Sequence, residues 1–300
     1  MSGTGGVWRV RAQDGTEHDV SLRGRLKQSD KFDKLAVGDD VDIAEDVRGG
    51  AWSITGIHPR RTQLARRAPG GGRGERIVVA NVDQVLIVFA IAKPEPHVRM
   101  IDRFLVIAEG NDLRARIVLN KVDLAPSAEA VDVLAADYAR AGYPVHRTSV
   151  KQTIGLDALR AVLVNRVTAI TGPSGVGKSS LINALYPGLN LRVGEISESV
   201  NKGRHTTVGA VLVPLPDGGY VVDTPGLREV GMWGLPSASL DACFPEFRPV
   251  LGECRFQDCR HVAEPDCAVR AAVETTEVSR ARYESYVKLR EELADAERLY

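Results

Sequence analysis

The sequence has no run of about 18 apolar residues, the length a membrane-spanning helix requires. Its start, MSGTGGVWRV, lacks the apolar core of a signal peptide. A membrane protein is therefore not expected, and a cytoplasmic one is. The chain also lacks a charge excess: 39 basic residues balance 39 acidic ones, so net charge points to no partner. Cysteine is scarce and confined, with all four between positions 243 and 267. Clustered cysteines in a cytosolic chain point to a metal before disulfides. What is present is an ordinary globular composition, 44% hydrophobic and 26% charged, over 300 residues, enough for two or three domains.

Residues 1–66 carry four short strand-like runs, VWRVRA, HDVSLRG, VDIAEDV and AWSITGI, separated by the turn signals DG, GDD and RGG. This predicts a small β-barrel of the oligonucleotide-binding (OB) kind, which has five strands, although no run precedes VWRV. The next segment, HPRRTQLARRAPGGGRGER (58–76), holds six arginines against one glutamate and reads as a loose connection. It is either a solvated linker or an arm that contacts nucleic-acid phosphates. From 77 to 234 buried-type strands (85–90, 116–120, 167–171, 220–223) alternate with helical periodicity at 98–110, 127–141 and 180–186. That alternation predicts an α/β domain, 67–234, around a mainly parallel sheet. Residues 235–300 hold the cysteines and a charged amphipathic helix whose Tyr283, Tyr286, Leu289 and Leu293 share a packing face.

GPSGVGKS (172–179) is a phosphate-binding loop in its required context, a strand before it and a helix after it. Gly172, Ser174, Gly175, Val176 and Gly177 form the turn that aims backbone N–H groups at phosphates. Lys178 places a positive charge at the β/γ-phosphates and is one of two predicted catalytic residues. Ser179 offers a hydroxyl to Mg²⁺, and Ser180 continues the anion-binding helix start. Downstream, DTPG (223–226) puts Asp223 at a strand end, where a carboxylate holds Mg²⁺ through water, and the Gly226 N–H senses the γ-phosphate. Between the two, NKGRHTT (201–207) supplies a second Mg²⁺ ligand, Thr207 in preference to Thr206.

NKVD (120–123) names the base. The Asp123 carboxylate accepts two hydrogen bonds from guanine that adenine does not offer, and facing adenine it would stay unpaired at a cost of ~1–3 kcal/mol or more. Asn120 bridges loop and base edge, and the Lys121 stem covers the purine. TSV (148–150), centred on Ser149, offers a backbone N–H to the guanine carbonyl. GTP and GDP are thus the predicted ligands, with Mg²⁺. The base loop precedes the phosphate loop, the reverse of an ordinary small GTPase, and a circular permutation accounts for it. Also missing is the glutamine that positions the attacking water in many GTPases: Leu227 stands there. His205 is the alternative water-holding group, with an ordinary surface histidine as the competing reading.

CRFQDCRHVAEPDC (254–267) brings Cys254, Cys259, His261 and Cys267 together at C-x4-C-x-H-x5-C spacing, a closed set for one structural Zn²⁺. Cys243 falls outside it and reads as a plain buried thiol. The motifs RGRLK, VGDDV, LNKVDL, TGPSGVGKSSLINAL, NKGRHTT, VVDTPGLRE, FPEF and RYESYVKL, in this order, resemble the circularly permuted GTPases of the RsgA/YjeQ type. The resemblance covers nearly the whole chain. It implies an N-terminal OB-fold, a permuted GTPase domain and a C-terminal zinc domain (235–300). It also implies binding to the small ribosomal subunit and its 16S rRNA during late maturation, with slow GTP hydrolysis stimulated by the subunit. In that family a histidine of the GRHTT segment matches His205. A monomer is expected. The competing reading is a GTP-sensing, RNA-binding adaptor with negligible hydrolysis.

Overall fold

The computed structural model describes residues 3–4, 6–22, 35–45, 50–67, 75–189, 191, 210–223 and 235–298. Near the N-terminus, β1 (Gly3–Thr4), β2 (Val7–Arg11), β3 (Glu17–Leu22), β4 (Val41–Glu45) and β5 (Trp52–Ile57) form one sheet in the order β1-β2-β3-β5-β4. The β3–β5 pair is parallel and the others are antiparallel. The fifth strand is β1, too short at two residues to show as a sequence pattern. This unit is clamped to the chain on its C-terminal side. The Val37 carbonyl accepts the Ala80 N–H at 2.8 Å. Gly38 lies so close that a Cβ there would sit 2.2 Å from the Ala80 oxygen. Arg60 and Asp39, both nearly buried, pair at 2.6 Å.

The expectation of a loose segment over 58–76 is corrected. Gln63–Arg67 (β6) pairs antiparallel with Glu75–Ala80 (β7). Leu64 and Val79, both fully buried, provide the apolar anchor. The pairing carries little sequence signal, because Leu64 and Val79 stand 15 residues apart and take meaning only from each other.

The central sheet has the order β10-β9-β8-β11-β13-β12. Its strands are β8 (Gln84–Ala90), β9 (Arg114–Asn120), β10 (Val145–Arg147), β11 (Val167–Thr171), β12 (Val211–Pro214) and β13 (Tyr220–Asp223). Only β12, at one edge, runs antiparallel. Every residue of β8 is buried, as expected of a central strand covered on both faces. Val85, Ile87 and Phe89 face the side covered by α1 (Val98–Glu109) and α2 (Ala128–Arg140). Leu86 and Val88 face α3 (Leu156–Ala161) and α4 (Lys178–Leu185). Helix α3, six residues long, had no counterpart among the helices expected from sequence because it completes too few turns to show a period.

The C-terminal elements α5 (Ala268–Glu274) and α6 (Arg280–Arg298) do not form a separate core. Tyr286, Leu289 and Leu293 of α6 belong to the same apolar cluster as Ile101 and Leu105 of α1. Phe244 and Phe247 stack at 5.0 Å, and both meet Tyr286 edge-on. At the junction Arg282 is 1% exposed and donates at 2.7 Å to both Asp102 and Glu246. Burial works against its charge, but those carboxylates more than offset this and raise its pKa. Cys243 is a buried thiol pushed up to about 11 by burial. Among the described residues no helix is long and apolar enough to cross a membrane.

Candidate functional site

The parallel strands all end on one side of the molecule, where α/β sheets place their ligands. Strand β11 runs into the phosphate loop, which α4 continues from Lys178. Three glycines of the loop are left-handed, Gly172 at φ +140°, Gly175 at +80° and Gly177 at +95°. At Gly172 a Cβ would fall 2.0 Å from the Val88 carbonyl oxygen, so only glycine lets the loop turn against β8. No side chain caps α4 and its first turn holds no acid, which leaves its N–H groups and dipole to an anion. Lys178 is 5% exposed, and its ammonium donates to the Gly172 and Pro173 carbonyls at 2.9 and 2.8 Å. Val176 and Ser179 are buried, Ser180 and Gly177 half-buried, and Ser174 and Gly175 exposed at the rim.

The base-reading loop is bolted directly to this loop. Asn120, at the end of β9, donates to the Val176 carbonyl at 2.9 Å and accepts from the buried Thr148 hydroxyl at 3.0 Å. A Cβ on Gly177 would lie 2.7 Å from the Asn120 amide nitrogen. Lys121, itself left-handed at φ +59°, spans the gap and donates to the carbonyls of Gly175 at 2.6 Å and Lys93 at 2.5 Å. Ser149 donates its hydroxyl to Asp123 at 2.6 Å. Its N–H goes to the Ile154 carbonyl at 3.1 Å, so Ser149 reaches the site through its side chain, orienting the carboxylate. The Thr148 N–H is likewise committed, to the Leu119 carbonyl at 2.9 Å. Thr148 and Lys93 had not been singled out from sequence. Thr148 stands inside a motif already quoted, whereas Lys93 contributes only a carbonyl, which no side-chain pattern can signal.

Asp223 ends β13 in register with Ile170 of β11, two residues before Gly172. His205, Thr206, Thr207, Gly226 and Leu227 lie outside the described residues.

The ligand atoms of Cys254, Cys259, His261 and Cys267 all lie within 4.8 Å of one another. The Cys254 and Cys267 sulfurs are 3.9 Å apart, and His261 Nδ1 is 3.5 and 3.4 Å from them. Such spacings suit a tetrahedral ion with bonds of roughly 2.0–2.3 Å. Burial disfavours a charged imidazole, yet the Asp241 carboxylate and the sulfurs of Cys267 and Cys254 raise His261 to about 9. A metal at this position would displace that proton, since only the neutral imidazole ligates. Burial likewise opposes ionisation of Cys254, but the N–H groups of Ala268 and Val269 lower its pKa. On its far side, His261 Nε2 lies 3.4 Å from Asp241 Oδ2. Asp241 carried no sequence signal.

Comparison with known proteins agrees with this geometry. Residues 57–233 match the model of the RsgA GTPase family. The chain is 61% identical over 295 residues to a small ribosomal subunit biogenesis GTPase RsgA of Gemmatimonas aurantiaca, covering 98% of this chain and 96% of that one. Its counterpart in Moorella thermoacetica is 41% identical, covering 99% and 97%. Among solved structures, YjeQ from Thermotoga maritima aligns with a TM-score of 0.79 at 36% identity, over 96% of this chain and 94% of that one. YloQ, described as a circularly permuted GTPase, aligns at 0.77 and 29%, over 98% and 93%.

Proposed function

The chain belongs to the RsgA GTPase family, and from that premise we propose that it is a circularly permuted GTPase of small ribosomal subunit biogenesis. It hydrolyses GTP to GDP and phosphate, slowly alone and faster on the subunit. The observation that carries the nucleotide assignment is the Asn120–Val176 bond, which fixes the guanine-reading and phosphate-binding loops as one pocket.

In this reading Asp123, oriented by Ser149, selects guanine, and Lys121 covers the base. The loop from Gly172 to Gly177, with Ser174 at its rim, cradles the phosphates together with Lys178 and the start of α4. Mg²⁺ would neutralise charge on the β- and γ-phosphates, held by Ser179 and Thr207 with Asp223 acting through water. Gly226 reports the γ-phosphate. His205 holds or deprotonates the attacking water in place of the glutamine that Leu227 replaces. Cys254, Cys259, His261 and Cys267 would hold one structural Zn²⁺. Four protein ligands would leave no position open, so the ion would contribute rigidity. The chain divides into a barrel (1–66), a GTPase unit (67–234) and a zinc unit (235–300). It acts as a cytoplasmic monomer on 16S rRNA.

The test is GTP turnover by the purified protein, alone and with stoichiometric small subunits, beside His205→Ala. Stimulation that the variant loses is the expected result. Subunit binding without stimulation would replace the enzyme with a GTP-sensing adaptor.

A further inference from the structure

At the end of the sheet opposite the nucleotide pocket, three arginines share one face. Strand alternation puts Arg114 and Arg116 of β9 on the face that carries Val118, and parallel pairing sets them level with Gln84 and Leu86 of β8. Arg166 precedes β11 by one residue, with the parity of Thr168, which lies opposite Gln84. Gln84 joins the group: its oxygen accepts from Arg116 at 2.9 Å, while its nitrogen donates to Thr168 at 3.0 Å. His146 of β10, level with Val118, is on the same face, and its Nε2 is buried with no hydrogen-bond partner.

Arginines nearby are neutralised, Arg147 by Asp132 and Arg160 by Asp217, each at 2.6 Å. Among the described residues Arg114, Arg116 and Arg166 have no carboxylate. The adjacent Asp83 is taken up by the Val167 N–H and Arg61. Burial lowers the Arg116 pKa, and the charges of Arg166 and Arg114 lower it further. Gathering like charges without a counter-charge costs stability, which a fold tolerates where the surface serves binding.

We infer that this arginine face is a phosphate-contacting surface for RNA, separate from the nucleotide pocket and from the N-terminal barrel. Guanidinium forks match phosphate oxygens in pairs. Arg114 and Arg116 stand roughly 7 Å apart along the strand, and Arg166 roughly 10 Å away across two strand spacings. That spread suits successive phosphates on a backbone better than one small anion. Apart from His146, whose Nε2 is buried, the group contains no aromatic side chain that would stack a base or anchor a protein partner, so the contact positions the RNA without reading its sequence. The choice of RNA rests on the proposed role on the small subunit.

The test measures binding of a short fluorescent RNA duplex and of small subunits by the full-length protein across a KCl series. It compares the parent with Arg114→Gln/Arg166→Gln and with a triple variant that adds Arg116→Gln. The slope of log affinity against log salt is expected to fall by about 1 per guanidinium removed, while GTP binding stays unchanged. The double variant keeps the Arg116–Gln84 bond and decides the matter if the triple fails to bind GTP. Equal slopes for parent and variants on both RNAs would overturn the inference. Failure of the subunit to stimulate GTP turnover would instead count against the proposed function.

Discussion

At the scale of single residues, the pocket depends on positions where a side chain is forbidden. Gly172 sits between left-handed backbone and the Val88 carbonyl, and neither can yield without disturbing β8 or β11. Gly172→Ala is expected to cost about 1–3 kcal/mol in backbone strain, read as a lower denaturation midpoint, together with a loss of GTP affinity. Gly188 has nothing within 4 Å of an added Cβ and no left-handed backbone. Gly188→Ala should change stability by no more than about 0.5 kcal/mol. The glycine spacing was legible because a phosphate loop leaves few alternatives. The reason for each glycine was not, since Val88 and Asn120 approach from distant parts of the chain.

At the scale of elements, the loop that carries the Cys/His cluster shows how short segments are held by neighbours rather than by their own propensity. His261 is left-handed at φ +59°, a conformation this loop keeps because its surroundings fix it. The Tyr283 and Tyr286 hydroxyls donate to the carbonyls of His261 and Arg260, both at 2.8 Å, tying the loop to α6. Asp241 faces the far nitrogen of the imidazole, the position of a carboxylate that orients a metal-binding histidine. Asp241→Ala should therefore weaken zinc retention about 10–100-fold, measured by competition with a chromogenic chelator. Undiminished affinity would reduce Asp241 to a bystander. The cluster of Cys254, Cys259, His261 and Cys267 was legible from spacing, whereas Asp241, 13 residues upstream of Cys254, was brought in by the fold. The β6–β7 hairpin and α3 were missed for a related reason: their apolar positions are few and take meaning only from partners elsewhere.

At the scale of the whole molecule, the C-terminal unit and the GTPase sheet share one core. Arg282 of α6 lies at its centre, between Asp102 of α1 and Glu246, with its guanidinium 4.6 Å from the Phe244 ring centroid. Such a cluster adds little net stability over apolar packing, but removing one partner strands the remaining charges. Arg282→Ala is expected to cost about 3–5 kcal/mol. Hydrogen exchange should show α1 and α6 losing protection together, because one charge serves both. Loss confined to α6 would mean that the two units fold independently. On this architecture the C-terminal unit is an extension of the sheet's α1 side, not a module on a tether.

The sequence by itself determined the family: a phosphate loop, an NKVD motif, a closed cluster of three cysteines and a histidine, and the inverted order that marks a permuted GTPase. These are local patterns in which residue type and spacing leave little choice. It also placed the main strands and the longer helices, because burial imposes periods of 2 and 3.6 on the pattern. Only the tertiary structure decided which groups hold the functional ones in place. Thr148 behind Asn120, the Lys93 carbonyl under Lys121, Asp241 behind His261 and Arg282 between the two units are contacts across long stretches of chain. The arginine face belongs with them. Arg116 and Arg166 are 50 residues apart, and only the register of three parallel strands makes them neighbours.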